Sequence, residues 1–364
     1  MKTILIAHNY TKENFSAMSY ELANYLAKNN FRVIFITHQP KFEEIIKINF
    51  ENGELLVFSW PSNKRPSTLK DVIWFCRLYY KYKPSVVIGH FVGSNISIVF
   101  SKILSFGRVK TYEYYHTLST QIIGDLKIIS IKQKILFLRK RFFYKLFCDK
   151  IICPSDFAKL DILNFHGVSN SVVIVNPMLD RFVNFYENNN QIIVSYLGRF
   201  DSSKGIIDLI NAFKKYKFNN KNSRLILNIA GTGRQKNEIE LSIKNGIDIN
   251  FINGLNYSEI DNYLCRSHYT IIPSKFDNLP TVGLESLMNG TPILISNNTG
   301  LTSYLTEDYD CYKFEPKHEG IYKVFEKVEA NFTLNSQMKI NSRKTFVSIF
   351  SMEQYCNTIL KLIT

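Results

Sequence analysis

The stretch YLGRFDSSKG, residues 196–205, marks the place where an apolar strand gives way to a helix. Gly198 and Arg199 close the strand, and a short polar turn then delivers Lys204 and Gly205. The N-terminal end of a helix exposes unpaired N–H groups and the positive end of the helix dipole. Because two cations at that end add to the same field, the stretch predicts a phosphate-binding site.

Apolar strands and amphipathic helical stretches alternate on both sides of this turn. The first half reads TILIAH, SAMSYELANYLAKNN, RVIFITH, SVVIGHF and SNISIVFSKILS, and the series restarts near residue 182 with IIVSYLGRF, GIIDLINAFKKY and RLILNIAGTG. This alternation is typical of parallel sheets covered by helices on both faces. We therefore expect an α/β fold with two domains, 1–180 and 181–346, and an amphipathic last helix at about 347–364 that can pack on either domain, including back on the first.

The length and charge of the chain fit two domains with different partners. The 364 residues are 45% hydrophobic, enough for two cores. Residues 1–180 hold 24 Lys and Arg against 13 Asp and Glu, a balance of +11, and the remaining residues hold 21 against 18, a balance of +3. This asymmetry predicts an anionic partner for the first domain: a phospholipid surface, an anionic lipid-linked substrate or a nucleic acid.

The six cysteines are scattered, without a C-x-x-C pair or a histidine at metal-ligand spacing. They indicate neither a disulfide framework nor a zinc site, and a reducing cytosol fits them best. The apolar run in MKTILIAHNY is too short for the core of a signal peptide, and no stretch approaches the ~18 apolar residues of a spanning helix. We expect a cytoplasmic protein, soluble or peripheral to a membrane.

Residues that follow strands are the candidates for ligand binding in an open α/β sheet. The AGTG turn at 230–233 is only half of a dinucleotide fingerprint, since Lys236 stands where the third glycine is required, and we interpret it as a tight turn. The stretch SKFDNLPTVGLESLMNGTP says more, because Asp277 and Glu285 can each accept hydrogen bonds from vicinal hydroxyls. Cations that can bind phosphate, together with carboxylates that can bind hydroxyl groups, indicate a site for a nucleotide sugar.

The runs GRFDSSKG, AGTG and PSKFDNLPTVGLESLMNGTPIL resemble the G-R-x-x-x-x-K-G and E-x7-E signatures of the retaining glycosyltransferases of family 4. The runs VVIGHF, YYHTLS, IICPSDFAKLDILNFHG and VVIVNPMLD fall in the order and spacing of that family's first domain and interdomain connection. The resemblance implies the α/β GT-B fold, in which two Rossmann-like domains face each other across a deep cleft, the first binding the acceptor and the second the nucleotide sugar.

The resemblance also implies roles for matching residues. Arg199 and Lys204 match the basic pair that grips the donor diphosphate and neutralises the leaving group. Glu285 matches the glutamate that binds the ribose hydroxyls, Asp277 the one beside the transferred sugar, and His116 the first-domain histidine near that sugar. The implied donor-binding residues are Gly198, Arg199, Lys204, Asn278, Leu279, Pro280, Thr281 and Glu285.

The sequence departs from the family at two places. Asp277 is one methylene shorter than the usual glutamate, which leaves an acceptor in place. The first loop, HNYTKENFSAMS, lacks the usual Gly-Gly pair and has Phe15 and Ser16 in that neighbourhood, so the backbone contact to the donor phosphate is not carried over. His90 ends a strand, and we interpret it as a support for the site.

We expect neither a cofactor nor a divalent metal. The D-x-D of Asp308 and Asp310 matches the metal-binding pair of the other large glycosyltransferase fold, but TEDYDCYKF reads as a solvent-exposed turn. Arg199, Lys204 and a helix dipole can neutralise a diphosphate without a metal ion.

The basic stretch 127–150 is the candidate for an anionic inner-membrane surface. Seven Lys and Arg and no acid lie between Asp125 and Asp149. On a helical wheel Lys134, Arg141 and Lys145 share one face. The neighbouring face carries Ile131, Ile135, Leu138, Phe142 and Leu146. This pattern resembles a membrane-surface helix, although Lys132 and Arg139 intrude on the apolar side, and a partly buried domain helix is the alternative. Without a recognition fold or stacking motif, we expect no nucleic-acid partner.

Taken with these features, the family resemblance implies a retaining, metal-independent hexosyltransferase. The expected donor is a UDP-sugar, with a GDP-sugar as the alternative. The expected acceptor is a hydroxyl of a saccharide or lipid-linked oligosaccharide in bacterial surface polysaccharide biosynthesis, such as lipopolysaccharide O-antigen or capsule. The expected location is the cytoplasmic face of the inner membrane. Two alternatives stay open: a non-catalytic nucleotide-sugar-binding protein and a GT-B sugar-nucleotide epimerase.

Overall fold

The chain divides into two units, each with its own sheet and core. The first unit comprises Met1–Leu179 and Met352–Thr364, and the second comprises Asp180–Ser351. The computed structural model describes residues 1–8, 17–37, 46–62, 66–91, 94–125, 130–183, 190–244 and 248–364.

The first unit contains an eight-stranded sheet in the order β3-β4-β2-β1-β5-β6-β7-β8. Its strands are β1 (Thr3–Ala7), β2 (Arg32–Thr37), β3 (Ile46–Asn49), β4 (Glu54–Ser59), β5 (Val86–His90), β6 (Lys110–Tyr114), β7 (Lys150–Cys153) and β8 (Ser171–Val173). Only the edge strand β3 runs antiparallel to its neighbour among these strands. Every residue of β1 and β5 is buried, as parallel strands covered on both faces require.

Helices flank this sheet, and several begin at side-chain caps. They are α1 (Ala17–Lys28), α2 (Leu69–Tyr82), α3 (Ser94–Leu104), α4 (Ser119–Asp125), α5 (Ile131–Phe147) and α6 (Asp156–His166). The start of α5 is fixed by a capping box between Ser130 and Gln133. Within the described ranges, none of the helices has the length and apolar character needed to cross a membrane.

The second unit contains a six-stranded, all-parallel sheet in the order β11-β10-β9-β12-β13-β14. Its strands are β9 (Ile192–Leu197), β10 (Leu225–Ala230), β11 (Ile249–Ile252), β12 (Tyr269–Ile272), β13 (Ile293–Ser296) and β14 (Cys311–Phe314). Its helices are α7 (Ile206–Asn219), α8 (Lys236–Ile243), α9 (Tyr257–Cys265), α10 (Thr281–Met288), α11 (His318–Ala330) and α12 (Asn335–Thr345). The strand order reverses between β9 and β12, and such a switch point is where open α/β sheets bind ligands.

The end of the chain differs from the single helix predicted from about residue 347. A π-helical turn, Phe346–Phe350, ends the second unit, and Ser351 is extended with φ −68° and ψ 149°. The last helix, α13 (Met352–Ile363), then packs on α1 in the first unit, where the Tyr25 hydroxyl donates to Asn357 Oδ1 at 2.6 Å. The prediction of one continuous helix was wrong. The chain passes from the second unit to the first at the extended residue Ser351, and the apolar pattern of the sequence continues across this residue without a signal for the break.

Candidate active site

Three loops meet at the switch point of the second sheet. The backbone N–H of Lys275, after β12, donates to the carbonyl of Ser203, after β9, at 2.8 Å. The N–H of Asp277 donates to the Asn298 carbonyl at 3.3 Å, and the N–H of Gly300 donates to the Asp277 carbonyl at 3.1 Å. Backbone hydrogen bonds therefore hold the loops after β9, β12 and β13 together independently of their side chains.

Two glycines permit this close approach of backbones. Gly205 has φ +70°, and a Cβ there would lie 2.2 Å from the carbonyl oxygen of Pro273. Gly231 has φ +151°, and its Cβ would lie 1.9 Å from the carbonyl oxygen of Gly198. The interpretation of AGTG as a turn is confirmed, since these residues connect β10 to α8 and pack against the loop that carries Arg199.

The predicted basic pair lies on the loop between β9 and α7. The Lys204 ammonium hydrogen-bonds to the carboxylate of Asp277, and only 16% and 13% of these two side chains are exposed. Arg199 is exposed, and its carbonyl accepts a hydrogen bond of 2.9 Å from the Tyr196 hydroxyl. In the described part of the chain the Arg199 guanidinium makes no ion pair, so its charge is available to an anion at this edge.

Two helices begin at the same edge. Gly205 precedes α7, and Pro280, with φ −62° and ψ 119°, is the N-cap of α10. Asn278 and Leu279 are buried and Thr281 is exposed. The first N–H groups of a helix have no partner within the helix, so both N-termini add positive potential near Lys204 and Arg199.

Glu285 lies on α10 and is 7% exposed. Arg181 Nη2 lies 3.7 Å from Glu285 Oε1, while Arg181 Nε donates to Asp261 Oδ2 at 2.9 Å and the guanidinium covers the Tyr257 ring at 4.6 Å. Burial raises the pKa of Glu285 to about 7, although the charge of Arg181 acts in the opposite direction. The sequence alone did not identify Arg181, because a single basic residue at a domain junction is not part of a motif with recognisable spacing.

A column of rings occupies the carboxyl edge of the first sheet. His90 Nδ1 lies 3.1 Å from His116 Nε2, so one imidazole donates to the other. The His8 ring stacks on His90 at 4.4 Å between centroids, and the Phe91 ring stacks on His116 at 4.5 Å. Burial lowers the pKa of His116 to about 3, which keeps this imidazole neutral. Sequence reasoning missed His8, although it directly follows β1.

The two aspartates of the D-x-D motif are engaged by different protein groups. Asp308 pairs with the Lys327 ammonium at 2.6 Å. Asp310 is 1% exposed and accepts hydrogen bonds from the Thr306 N–H at 2.9 Å and the Thr345 hydroxyl at 2.6 Å. The prediction of a solvent-exposed turn was therefore wrong for Asp310, which directly precedes the strand β14. Among the described residues, no group of three or more His, Cys, Asp or Glu side chains could hold a metal ion.

The described part of the basic stretch forms α5, whose outer face is exposed. Tyr144 is the buried residue of this helix, and it fixes the face that packs on the domain. Five apolar side chains, hereafter the apolar stripe, are between 52% and 79% exposed: Ile131, Ile135, Leu138, Phe142 and Leu146. The first-loop residues Phe15 and Ser16, and residues 127–129 of the basic stretch, lie outside the described residues.

Two family models cover most of the chain. The model described as Glycosyl transferases group 1 matches residues 180–345, and the model described as Glycosyltransferase Family 4 matches residues 16–180. Among curated proteins, the uncharacterized glycosyltransferase MJ1059 of Methanocaldococcus jannaschii is 23% identical over 279 residues, which are 69% of this chain and 64% of that protein. The match thus spans less than two-thirds of this relative's length.

Solved structures confirm the GT-B fold class. Sucrose-phosphate synthase from Thermosynechococcus elongatus superposes with a TM-score of 0.74 at 15% identity, over 100% of this chain and 98% of that one. The Anabaena protein HepE in complex with UDP gives a TM-score of 0.73 at 11% identity, and its complex with UDP-glucose gives 0.71 at 12%, each over 100% of this chain and 99% of that one. At these identities the likeness concerns the fold.

Proposed function

Because this chain belongs to the glycosyltransferases of group 1 and family 4, we propose that it transfers a hexosyl unit from a nucleotide sugar to an acceptor hydroxyl with retention of configuration. One observation carries the proposal. Lys204, Arg199 and two helix N-termini lie at the switch point of the second sheet, on loops fixed by backbone hydrogen bonds.

This arrangement suits a diphosphate leaving group. As the bond between the anomeric carbon and the diphosphate oxygen breaks, negative charge builds up on the diphosphate. Lys204, Arg199 and the N-terminal N–H groups of α7 and α10 stabilise that charge in a fixed geometry. The positive charge at the leaving group is supplied by the protein itself, which supports a reaction without a divalent metal.

The engagement of Asp277 supports a front-face displacement. Its carboxylate is bonded to Lys204, which lowers its capacity to act as a nucleophile on the sugar. In the front-face reaction the acceptor oxygen forms the new bond on the face that the diphosphate leaves, and the hydroxyl proton passes to the departing diphosphate oxygen. His116, a neutral imidazole, contacts the transferred sugar through hydrogen bonds in this proposal.

The donor is proposed to be a UDP-sugar, with a GDP-sugar as the alternative. Support comes from the Anabaena neighbour, whose structures contain UDP and UDP-glucose. Glu285 would accept hydrogen bonds from the ribose hydroxyls, and Asn278, Leu279, Pro280 and Thr281 would bring backbone N–H groups to the sugar and phosphate.

The acceptor is proposed to be a lipid-linked oligosaccharide of bacterial surface polysaccharide assembly, at the cytoplasmic face of the inner membrane. The apolar stripe of α5 supports this, because five exposed apolar side chains at helical spacing suit the interface of a bilayer. The exposed cations of the same helix, Lys132, Lys134, Arg139, Arg141 and Lys145, would be attracted by anionic headgroups.

A panel of donors tests the function. UDP-, GDP- and ADP-sugars are offered with and without a polyprenyl-diphosphate-linked oligosaccharide, and nucleotide release, acceptor mass and the configuration of the new linkage are followed. The proposal expects an acceptor-dependent mass gain of one hexose, with the donor's anomeric configuration kept. Nucleotide binding without turnover would establish the non-catalytic alternative, and donor conversion in the absence of acceptor would establish the epimerase.

A further inference from the structure

A cavity of about 720 Å³ lies in the first unit, and residues of α5 form part of its wall. Its volume is within the usual range of small-molecule sites. Apolar and aromatic side chains from three elements dominate its wall. They are Val72 of α2, Ile96 and Val99 of α3, and Phe142, Phe143, Tyr144 and Phe147 of α5.

The lining of the cavity includes parts of two surfaces already described. Phe142 belongs to the apolar stripe and is 56% exposed. Phe91 and His116 follow β5 and β6 at the carboxyl edge of the sheet, and both also line the cavity. A molecule that lies along α5 can therefore extend through this cavity to the edge that carries His116.

Charge is distributed unevenly around the cavity. Arg139 and Lys140 of α5 contribute cations to the lining, and Arg139 is exposed. The carboxylate on the wall, Glu113 of β6, is 4% exposed. An anion would therefore be stabilised on the α5 side, where the exposed arginine is, and the predominantly apolar walls favour a ligand that also carries an apolar part.

We propose that this cavity binds the hydrocarbon chain of an anionic lipid next to its phosphate, with the phosphate at Arg139 and Lys140. The walls supply the apolar contacts that a chain needs, and the two cations supply the charge that a phosphate needs. In naming the lipid part of the acceptor as the occupant, the proposal rests on the proposed function. According to this proposal, the hydrocarbon chain of the acceptor lipid binds within the folded first unit as well as in the bilayer.

Binding of alkyl phosphates to the full chain tests the proposal directly. Dodecyl phosphate, below its micellar concentration, is compared with butyl phosphate by calorimetry. Because each buried methylene is worth roughly a factor of four in affinity, we expect dodecyl phosphate to bind at least about thirtyfold more tightly than butyl phosphate. Equal affinities would overturn the proposal, since they would show that only the phosphate is recognised.

Two substitutions on α3 test where the hydrocarbon chain of the ligand binds. Val99→Trp fills the cavity, and Ile103→Trp places the same ring one turn along the helix at a position that is 53% exposed and does not line the cavity. We expect Val99→Trp to weaken dodecyl phosphate about tenfold or more and Ile103→Trp to change it less than about twofold. Equal losses in both variants would place the chain elsewhere and contradict the proposal.

A second pair of substitutions, on α5, tests where the phosphate binds. Because both residues are exposed, these variants do not alter the packing of the domain interior. Arg139→Gln removes an exposed cation that lines the cavity, and Lys132→Gln removes an exposed cation that does not. We expect Arg139→Gln to weaken dodecyl phosphate about fivefold and to leave dodecanol binding unchanged. If Lys132→Gln lowered the affinity for dodecyl phosphate equally, the effect would come from general surface charge, and the assignment of the phosphate to Arg139 would be overturned.

Titration of the same preparations with UDP separates this proposal from the proposed function. UDP binds the second unit in our account, so it should bind every one of these variants as it binds the unaltered protein. Absence of UDP binding together with the predicted alkyl phosphate pattern would remove the donor assignment and keep the cavity. If UDP binds but the affinity for alkyl phosphates does not depend on the length of the alkyl chain, the donor assignment is kept and the cavity proposal is overturned.

Discussion

The ammonium group of Lys204 is hydrogen-bonded to the carboxylate of Asp277, so the two residues on which the proposed chemistry depends meet across the switch point. The pair joins the loop after β9 to the loop after β12. Asp277 thereby orients the cation before any donor is bound, and its own charge is partly neutralised. In the proposed function Asp277, which the family resemblance places beside the sugar, therefore also positions Lys204 for the donor diphosphate.

Lys204→Ala should lower kcat by about a hundredfold to a thousandfold, because one fixed donor to the leaving diphosphate is lost. The matched control is Lys275→Ala on the adjoining loop, whose exposed ammonium pairs with Asp208 at 2.7 Å. Its kcat should change less than about threefold. Steady-state nucleotide release measures both, and unaltered turnover of Lys204→Ala would refute the assigned role.

Donor affinity should fall as the pH is lowered from about 8 to about 6. The pKa of Glu285 is raised to about 7, so acidification protonates the carboxylate that would accept the ribose hydroxyls. UDP-glucose is a suitable probe, because its diphosphate diester does not titrate in this range. Calorimetric titrations across the range should show the loss, and Glu285→Gln should bind weakly with almost no pH dependence.

Arg181→Met should move the midpoint of that pH dependence upward. The charge of Arg181 lowers the pKa of Glu285, and its removal leaves burial and the nearby Asp261 carboxylate to raise the pKa further. A midpoint that stays in place or moves down would show that Arg181 does not act on Glu285 in solution.

His90→Phe should keep the stacked ring column and remove the hydrogen bond to His116. We expect kcat to fall by about fivefold, the equivalent of one net hydrogen bond of about 1 kcal/mol, with little change in the KM for the donor. Nitrogen chemical shifts of His116 report its tautomer, and the distribution should change in the variant. An unchanged tautomer would reduce His90 to a packing residue.

Gly205→Ala and Gly107→Ala separate backbone strain from steric overlap. Gly107 has φ +81°, and no heavy atom lies within 4 Å of the position that a Cβ would take, so alanine there should cost only about 1–2 kcal/mol of unfolding free energy. At Gly205 the methyl would also meet Pro273, and we expect about 3 kcal/mol together with a loss of UDP affinity. Equal costs and intact UDP binding in both variants would show that the loop closure at Pro273 is unimportant.

The apolar stripe should bind vesicles that contain phosphatidylglycerol and should not bind neutral vesicles. Replacing Ile135 and Leu138 by glutamine should lower the bound fraction by about tenfold or more, because both side chains would otherwise enter the interface. The matched control replaces Phe218 and Leu241, which are 79% and 67% exposed on the second unit. High salt should weaken binding through the α5 cations, and equal losses in the two double variants would remove the membrane assignment.

The sequence was informative where local chemistry decides the structure. Strand and helix periods predicted two α/β units, and the residues after β9 and β12 could be identified as candidates from their position alone. The AGTG turn was interpreted correctly because the missing third glycine is visible in the sequence.

The remaining features depend on contacts between distant segments. The pairs Lys204 with Asp277 and Arg181 with Glu285 each join residues that lie more than 70 positions apart in the chain, so local sequence patterns cannot predict them. The break at Ser351 is hidden by an apolar pattern that continues across it. An apolar stripe such as that of α5 gives the same sequence pattern whether it faces a core or solvent, so periodicity could not decide between the two.

The most direct test of the central claim is a crystal structure of the protein with its bound nucleotide-sugar donor. Our account predicts diphosphate oxygens within hydrogen-bonding distance of Lys204 Nζ and the Arg199 guanidinium, and ribose hydroxyls at the Glu285 carboxylate. A diphosphate bound at another place, with Lys204 still paired only to Asp277 and Arg199 facing solvent, would contradict it.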